Sequence, residues 1–267
     1  MTAAFSAAFS AAFSDAQLER YARHIVLREI GGAGQRRLLG ARIVVVGAGG
    51  IGAGALPYLV AAGVGRVRLI DDDTVSLSNL QRQTLFTATD IGAPKVERAA
   101  RALALVNPDC AVEPISVRLD PDNAQSMLAG ADVVLDGCDN FATRLTVADA
   151  AFALRIPLVS AAVGPFDGQI STFAGWKPTL PCYRCLVGSD PAQQARSCAE
   201  TGVLGALTGA LGALAAIEVI REIVGFGEGL AGRLLLIDAL SNRQRTVALA
   251  KDPACPTCSP QPIFSSG

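Results

Sequence analysis

Four cysteines stand as two Cys-x-x-Cys pairs, Cys182-Tyr-Arg-Cys185 and Cys255-Pro-Thr-Cys258. Pro181 precedes the first pair and Pro256 lies inside the second, so each pair can fold as a knuckle presenting two thiolates to one tetrahedral ion. Four thiolates saturate a zinc ion, and the expected site is therefore structural, a clip between the chain's end and its middle. Two disulfides are the weaker reading of this spacing in a chain without a secretory signal. A second constellation is Gly47-Ala48-Gly49-Gly50-Ile51-Gly52, which fits G-x-G-x-x-G. Glycines at Gly47, Gly49, Gly50 and Gly52 let the backbone approach a phosphate, and the N-terminus of a following helix offers free N–H groups and partial positive charge. Asp71, about 20 residues further on, is spaced to accept from ribose hydroxyls. Loop and carboxylate together predict a bound nucleotide, with NAD, FAD and ATP all admissible at such a corner.

The next residues narrow that choice. After Asp71-Asp72-Asp73 comes Ser78-Asn79-Leu80-Gln81-Arg82-Gln83, and then Lys95 directly after Pro94. A nicotinamide site has little use for two cations beside the phosphates, whereas a triphosphate that loses pyrophosphate needs them. An ordinary polar loop also uses Asn, Gln and Arg. Lys95, however, is one of only three lysines among 23 basic residues, which points to a use for a compact charge. Asp136-Gly137-Cys138-Asp139-Asn140 ends another strand at the edge where ligands bind in open α/β sheets. Asp139 there could hold magnesium, or Asp139 or Asn140 could simply cap the following helix. Of the remaining cysteines, Cys110 and Cys138 border strands and read as small buried hydrophobes. Cys198, in a polar stretch beside Arg196, reads equally as a reactive thiol or an idle one.

The elements that must position these groups form a regular series. Ser14 or Asp15 offers an N-cap to an amphipathic helix through Leu18, Tyr21, Ile25 and Val26. Strands are expected at 41–46, 66–70, 111–117, 131–135 and 157–161, with helices at 52–62, 94–105 and 141–154. That alternation calls for a parallel sheet covered on both faces. Beyond Gly164, stretches 168–174, 232–237 and 243–249 read as strands without crossover helices, an antiparallel extension of the same sheet. The fold expected is thus a Rossmann-like, doubly wound α/β domain over residues 15–267, preceded by a disordered tail of three Ala-Ala-Phe-Ser copies at 1–14. The apolar run 202–217, carrying Gly205, Gly209 and Gly212, is short for a membrane span and fits a buried helix or, less well, a subunit interface. With 267 residues, 51% hydrophobic and 5% aromatic, the chain can build a large aliphatic core. A net charge of −1 provides no global field for nucleic acid or membrane. A single histidine, His24, excludes a multi-histidine metal site. The first positive charge is Arg20, so the N-terminus lacks the basic region of a secretory signal and a cytoplasmic location is expected.

Read together, the motifs resemble the MoeB/ThiF/HesA family, bacterial relatives of ubiquitin-activating enzymes, and most of all its molybdopterin branch. The matching stretches are Arg20-Tyr-Ala-Arg23-His-Ile-Val-Leu, the 47–52 loop, Asp71–Asp73, Ser78–Gln83, Gly92-Ala-Pro-Lys95-Val, Asp136–Asn140, both cysteine pairs and Cys198-Ala-Glu-Thr-Gly202. The resemblance implies that Gly49, Asp71, Asp73, Asn79, Arg82 and Lys95 bind ATP, with Gln83 and Asn140 beside them, and that Asp139 binds magnesium. It implies a homodimer in which Arg23 reaches the neighbour's ATP site and the glycine-rich helix lies at the interface. The implied substrate is the C-terminal glycine carboxylate of a small ubiquitin-like sulfur carrier ending in Gly-Gly. Attack on the α-phosphate would release pyrophosphate, and a persulfide from a separate sulfurtransferase or cysteine desulfurase would later displace AMP to give a thiocarboxylate. Cys198 matches a position that in some relatives links covalently to the carrier. The molybdopterin-synthase small subunit is the expected carrier, with that of thiamin-thiazole synthesis as the alternative. Two readings of another class remain open to test: an NAD-dependent oxidoreductase and a non-catalytic zinc-stapled scaffold.

Overall fold

A computed structural model of the chain describes residues 13–188 and 202–259. Helix α1 (Asp15–Ile25) opens on a capping box, in which the Ser14 side chain accepts from the Gln17 backbone and the Gln17 side chain accepts from that of Ser14. Just before it, Phe13 is buried and lies 5.8 Å beneath the Arg36 guanidinium. Helix α2 (Gly31–Gly40) leads into β1 (Arg42–Val46), α3 (Gly50–Ala61) and β2 (Arg66–Ile70). Then follow α4 (Lys95–Val106), β3 (Ala111–Ile115), α5 (Ala124–Leu128), β4 (Val133–Asp136), α6 (Phe141–Leu154), β5 (Leu158–Val163) and β6 (Asp167–Phe173). The remaining elements are α7 (Tyr183–Val187), α8 (Gly205–Val224), β7 (Arg233–Asp238) and β8 (Arg243–Ala248).

All eight strands form one sheet in the order β3-β2-β1-β4-β5-β6-β7-β8. The pairs from β3 through β5 are parallel and those from β5 through β8 antiparallel. The mixed sheet expected from the change of pattern after Gly164 is therefore present. Central strands are aliphatic because both their faces are covered, and every residue of β4 is buried. The edges carry different chemistry. On β3, Pro114 is tolerated because an edge strand has an unused N–H side, and Glu113 pairs with Arg68 across the register at 3.1 Å. On β8 every residue is exposed, Arg243 and Arg245 included, a charged edge that discourages further strand pairing.

Two hydrophobic clusters lie on opposite faces of the sheet. One gathers α3, α4 and α8 over β1, β2 and β5; the other gathers α5 and α6 over β4. The apolar run of the sequence becomes the front of α8, which packs mainly on α3. A Cβ at Gly212 would lie 2.4 Å from the Ile51 carbonyl oxygen, so this glycine serves helix–helix approach within the chain. Among the described residues, no helix is long and apolar enough to cross a membrane.

Candidate nucleotide site and cysteine clip

Strand order reverses between β1 and β4, and their carboxyl ends diverge there into a cleft. A cavity of about 570 Å³ occupies that position, within the range for small-molecule sites. Its floor is the turn from β1 into α3. Gly47, Gly49 and Gly50 line it, and Gly49 caps α3 without any side-chain partner for the helix's first N–H groups. Gly52 does not line the cavity. A Cβ there would stand 1.9 Å from the Gly47 carbonyl oxygen, so this glycine permits the tight turn instead of meeting the ligand.

Asp71 lies at the end of β2, where one carboxylate oxygen accepts from the Ala48 N–H at 2.7 Å and the other from the Asp73 N–H at 2.8 Å. Each oxygen keeps a free lone pair for a ribose hydroxyl. Burial raises the Asp71 pKa, and the positive charge of Lys95 pulls in the opposite direction. Lys95 begins α4, its side chain only 5% exposed, and its Nζ meets Asp73 Oδ2 at 2.7 Å. A short 3-10 turn, Leu77–Asn79, precedes the next group. The Asn79 side chain accepts from the Ser76 N–H, and the Asn79 carbonyl accepts from the Arg82 and Gln83 N–H groups. Arg82 is steadied by a 2.9 Å bond to the Ser78 carbonyl. Gln83 is buried, lines the cavity, and its Oε1 has no partner. An unsatisfied buried acceptor in a cavity wall fits a polar ligand that would supply the missing bond. Thr208, near the start of α8, bonds the Gly205 and Arg82 carbonyls at 2.7 and 3.3 Å and so braces this loop from the far side.

The turn after β4 forms the opposite wall. Asn140 caps α6, accepting from the Thr143 N–H at 3.1 Å. That settles which residue caps the helix and leaves the exposed Asp139 carboxylate at the cavity without a capping duty. Asp71, Asp73, Asn79, Arg82, Gln83, Lys95, Asp139 and Asn140 thus converge on one cavity. Arg23 does not; it is exposed on α1 and absent from the lining. Cys198 lies outside the described residues. Cys110 is a buried thiol whose pKa burial pushes up to about 11. Cys138 departs from the apolar role expected of it, because its thiol donates to the Asp136 carboxylate at 2.7 Å. Sequence reasoning also missed Thr208, Arg144 and Tyr183, all of which line the cavity.

The two cysteine pairs meet beside Tyr183, which itself lines the cavity. Cys182 caps the short helix α7, and Sγ separations are 3.8 Å for Cys182–Cys185, 3.6 Å for Cys182–Cys255 and 3.4 Å for Cys185–Cys258. All four sulfur atoms lie within 4.8 Å of one another. A tetrahedral ion with metal–sulfur bonds of about 2.3 Å requires sulfur separations of about 3.8 Å, so the cluster fits a zinc-sized ion. The Asp252 N–H donates to Cys185 Sγ at 3.4 Å, the sort of outer bond that steadies a thiolate.

A Rossmann-type sheet with this charged corner defines a nucleotide-binding α/β enzyme. The ThiF family model matches residues 21–257. The chain is 46% identical over 243 residues to the SAMP-activating enzyme E1 of Haloferax volcanii, spanning 91% of this chain and 89% of that one. It is 46% identical over 252 residues to the sulfur carrier protein adenylyltransferase of Thermus thermophilus, spanning 92% of each. With the molybdopterin-synthase adenylyltransferase of Escherichia coli it shares 41% identity over 244 residues, 91% of this chain and 97% of the relative. A crystal structure of Escherichia coli MccB with MccA-N7isoASN superposes with a TM-score of 0.80 at 22% identity, over 90% of this chain and 75% of that one, a likeness of fold. The chain belongs to the ThiF family. It is an adenylyltransferase, and the oxidoreductase and scaffold readings are set aside.

Proposed function

We propose that the chain uses ATP and magnesium to adenylylate the C-terminal glycine carboxylate of a small ubiquitin-like sulfur carrier ending in Gly-Gly. The carrier favoured is the small subunit of molybdopterin synthase. The observation that carries this reading is the convergence of Arg82, Lys95 and Asp139 on one cavity beside an Asp71 carboxylate with free lone pairs. Ribose hydroxyls would sit at Asp71 and the phosphates along Gly49 and Gly50 at the start of α3, with Gln83 Oε1 receiving a donor from the ligand. Arg82 and Lys95 would balance the charge that gathers on the leaving pyrophosphate. Magnesium, held by Asp139, would neutralise phosphate charge. A carboxylate oxygen of the carrier attacks the α-phosphorus, the bond from that phosphorus to the bridging oxygen breaks, and pyrophosphate departs with the electron pair. No general base is required, because the nucleophile is already ionised at pH 7, and positioning supplies most of the acceleration.

In this reading the enzyme is a homodimer, and the exposed Arg23 serves the partner's cavity. The four thiolates hold a structural zinc, and Cys198 is a candidate for a covalent link to the carrier. The Thermus relative, at higher identity than the molybdopterin enzyme, has a name that specifies no pathway. For that reason the thiamin-thiazole carrier belongs in the same test. Isotopic pyrophosphate should exchange into ATP only when a Gly-Gly carrier is present, fastest with the molybdopterin-synthase small subunit. Arg82→Ala should abolish exchange in a folded protein. Exchange without carrier, or none with any carrier, contradicts the proposal.

A further inference from the structure

Arg144 lies in α6 directly behind the Asp139 turn, its side chain 8% exposed. One terminal nitrogen, Nη1, donates to Asp136 Oδ2 at 3.1 Å and to the Ser160 hydroxyl at 3.2 Å. The other, Nη2, donates to the Ala161 carbonyl at 2.8 Å and, in its tightest contact, to the Cys138 carbonyl. That carbonyl belongs to the peptide joining Cys138 to Asp139. Asp136 is fully buried and accepts in addition from the Ser160 hydroxyl at 2.8 Å and from the Cys138 thiol and N–H at 2.7 and 3.2 Å. The guanidinium therefore ties the peptide before Asp139 to the end of β4 and the middle of β5. Tyr183 lines the same cavity as Arg144. The Tyr183 ring is set edge-on against Phe173, 5.2 Å between centroids and 84° between planes. Its backbone sits between Cys182 and Cys185 in α7.

Buried ion pairs are often no more stabilising than apolar side chains of similar volume. A buried, multiply bonded arginine next to a ligand-facing turn is better explained by what it holds still. We propose that Arg144 positions Asp139 for magnesium–nucleotide binding, by holding the peptide that precedes it against Asp136 and β5. The proposal rests on the reading of Asp139 as the magnesium-holding carboxylate. A lysine at 144 would keep the charge facing Asp136, but a single ammonium cannot reproduce a planar fork that spans a carboxylate and two carbonyls.

Calorimetric titration of the full-length protein with ATP, with and without magnesium, tests this. Arg144→Lys should weaken magnesium-ATP binding by about ten- to a hundredfold, the usual cost of removing an outer-shell support, while leaving magnesium-free ATP binding unchanged. Ser160→Ala, which removes a hydroxyl that accepts from Arg144 and donates to Asp136, should move the same measurement in the same direction by less. Arg184→Gln, which breaks only the neighbouring pair with Asp149, should titrate like the native protein. Arg144→Lys that matches native in both titrations, or loses both equally, overturns the proposal. Should Arg144→Lys fail to fold, a native-like Ser160→Ala overturns it. A native protein that binds ATP without any magnesium dependence removes the Asp139 reading itself, a different failure from magnesium-dependent native binding that the variants leave untouched.

Discussion

Lys95→Met separates a catalytic cation from a structural one. The side chain is 5% exposed whereas its partner Asp73 is 68% exposed. Methionine keeps the buried stem, and Asp73 stays hydrated once the ammonium is gone. An ion pair with one partner this exposed contributes about 1 kcal/mol or less. For a chain of this size that is a drop in Tm of about 2–4 °C. The effect on chemistry is of another order. A unit charge about 4 Å from a developing charge is worth about 4 kcal/mol at an effective dielectric of 20. Removing one such preorganised group from an active site costs about 10²–10³ in rate. Lys95→Met should therefore depress carrier-dependent pyrophosphate exchange by about that factor while circular dichroism and melting remain near native. Exchange within about threefold of native, under 1 kcal/mol in barrier, would refute the argument that Lys95 stabilises the leaving group. A collapse in Tm of tens of degrees would refute the argument that its ion pair is weak.

Three further outcomes follow from the same geometry. Gly52→Ala places a Cβ 1.9 Å from the Gly47 carbonyl oxygen; it should destabilise the fold by about 1–3 kcal/mol and abolish nucleotide binding, read by thermal melting and calorimetry. Because burial raises the Asp71 pKa, its ribose-accepting carboxylate form is complete only above that raised value. Nucleotide affinity should fall as pH drops through it, at a higher pH than an exposed aspartate would give, and Asp71→Asn should flatten the profile. Metal analysis of the purified protein should find one zinc per chain, and Cys255→Ser should lower both that content and Tm, as expected where metal binding is coupled to folding.

The central strands and the nucleotide turn were legible in the sequence because their signals are local. Aliphatic runs with helical spacers mark a buried parallel sheet, and glycine spacing at a strand–helix junction marks the turn. Helix α2 was not anticipated, since Gly31-Gly-Ala-Gly is an unpromising start. It holds because Leu38 and Gln35 are buried and Gly34 brings it against Val224 of α8, with a Cβ there falling 2.7 Å from the valine side chain. These are long-range contacts that a local reading cannot supply. Arg144 illustrates the same limit within the site. An arginine in an alanine-rich helix looks solvated in sequence, and only the fold brings Asp136, Ser160 and the Cys138 carbonyl around it. The choice between Asp139 and Asn140 as helix cap also needed coordinates, because either residue type caps well. The cysteine pairs were legible in spite of their wide separation, because each Cys-x-x-Cys is itself a local signature.

The most direct test of the account is the intact mass of a Gly-Gly-ended sulfur carrier after incubation with this protein, ATP and magnesium, quenched before the anhydride hydrolyses. The account predicts a carrier heavier by one adenylyl group, dependent on ATP and lost when the terminal glycine is removed. A carrier of unchanged mass while ATP is consumed, or an adenylyl group that persists on the truncated carrier, would contradict it.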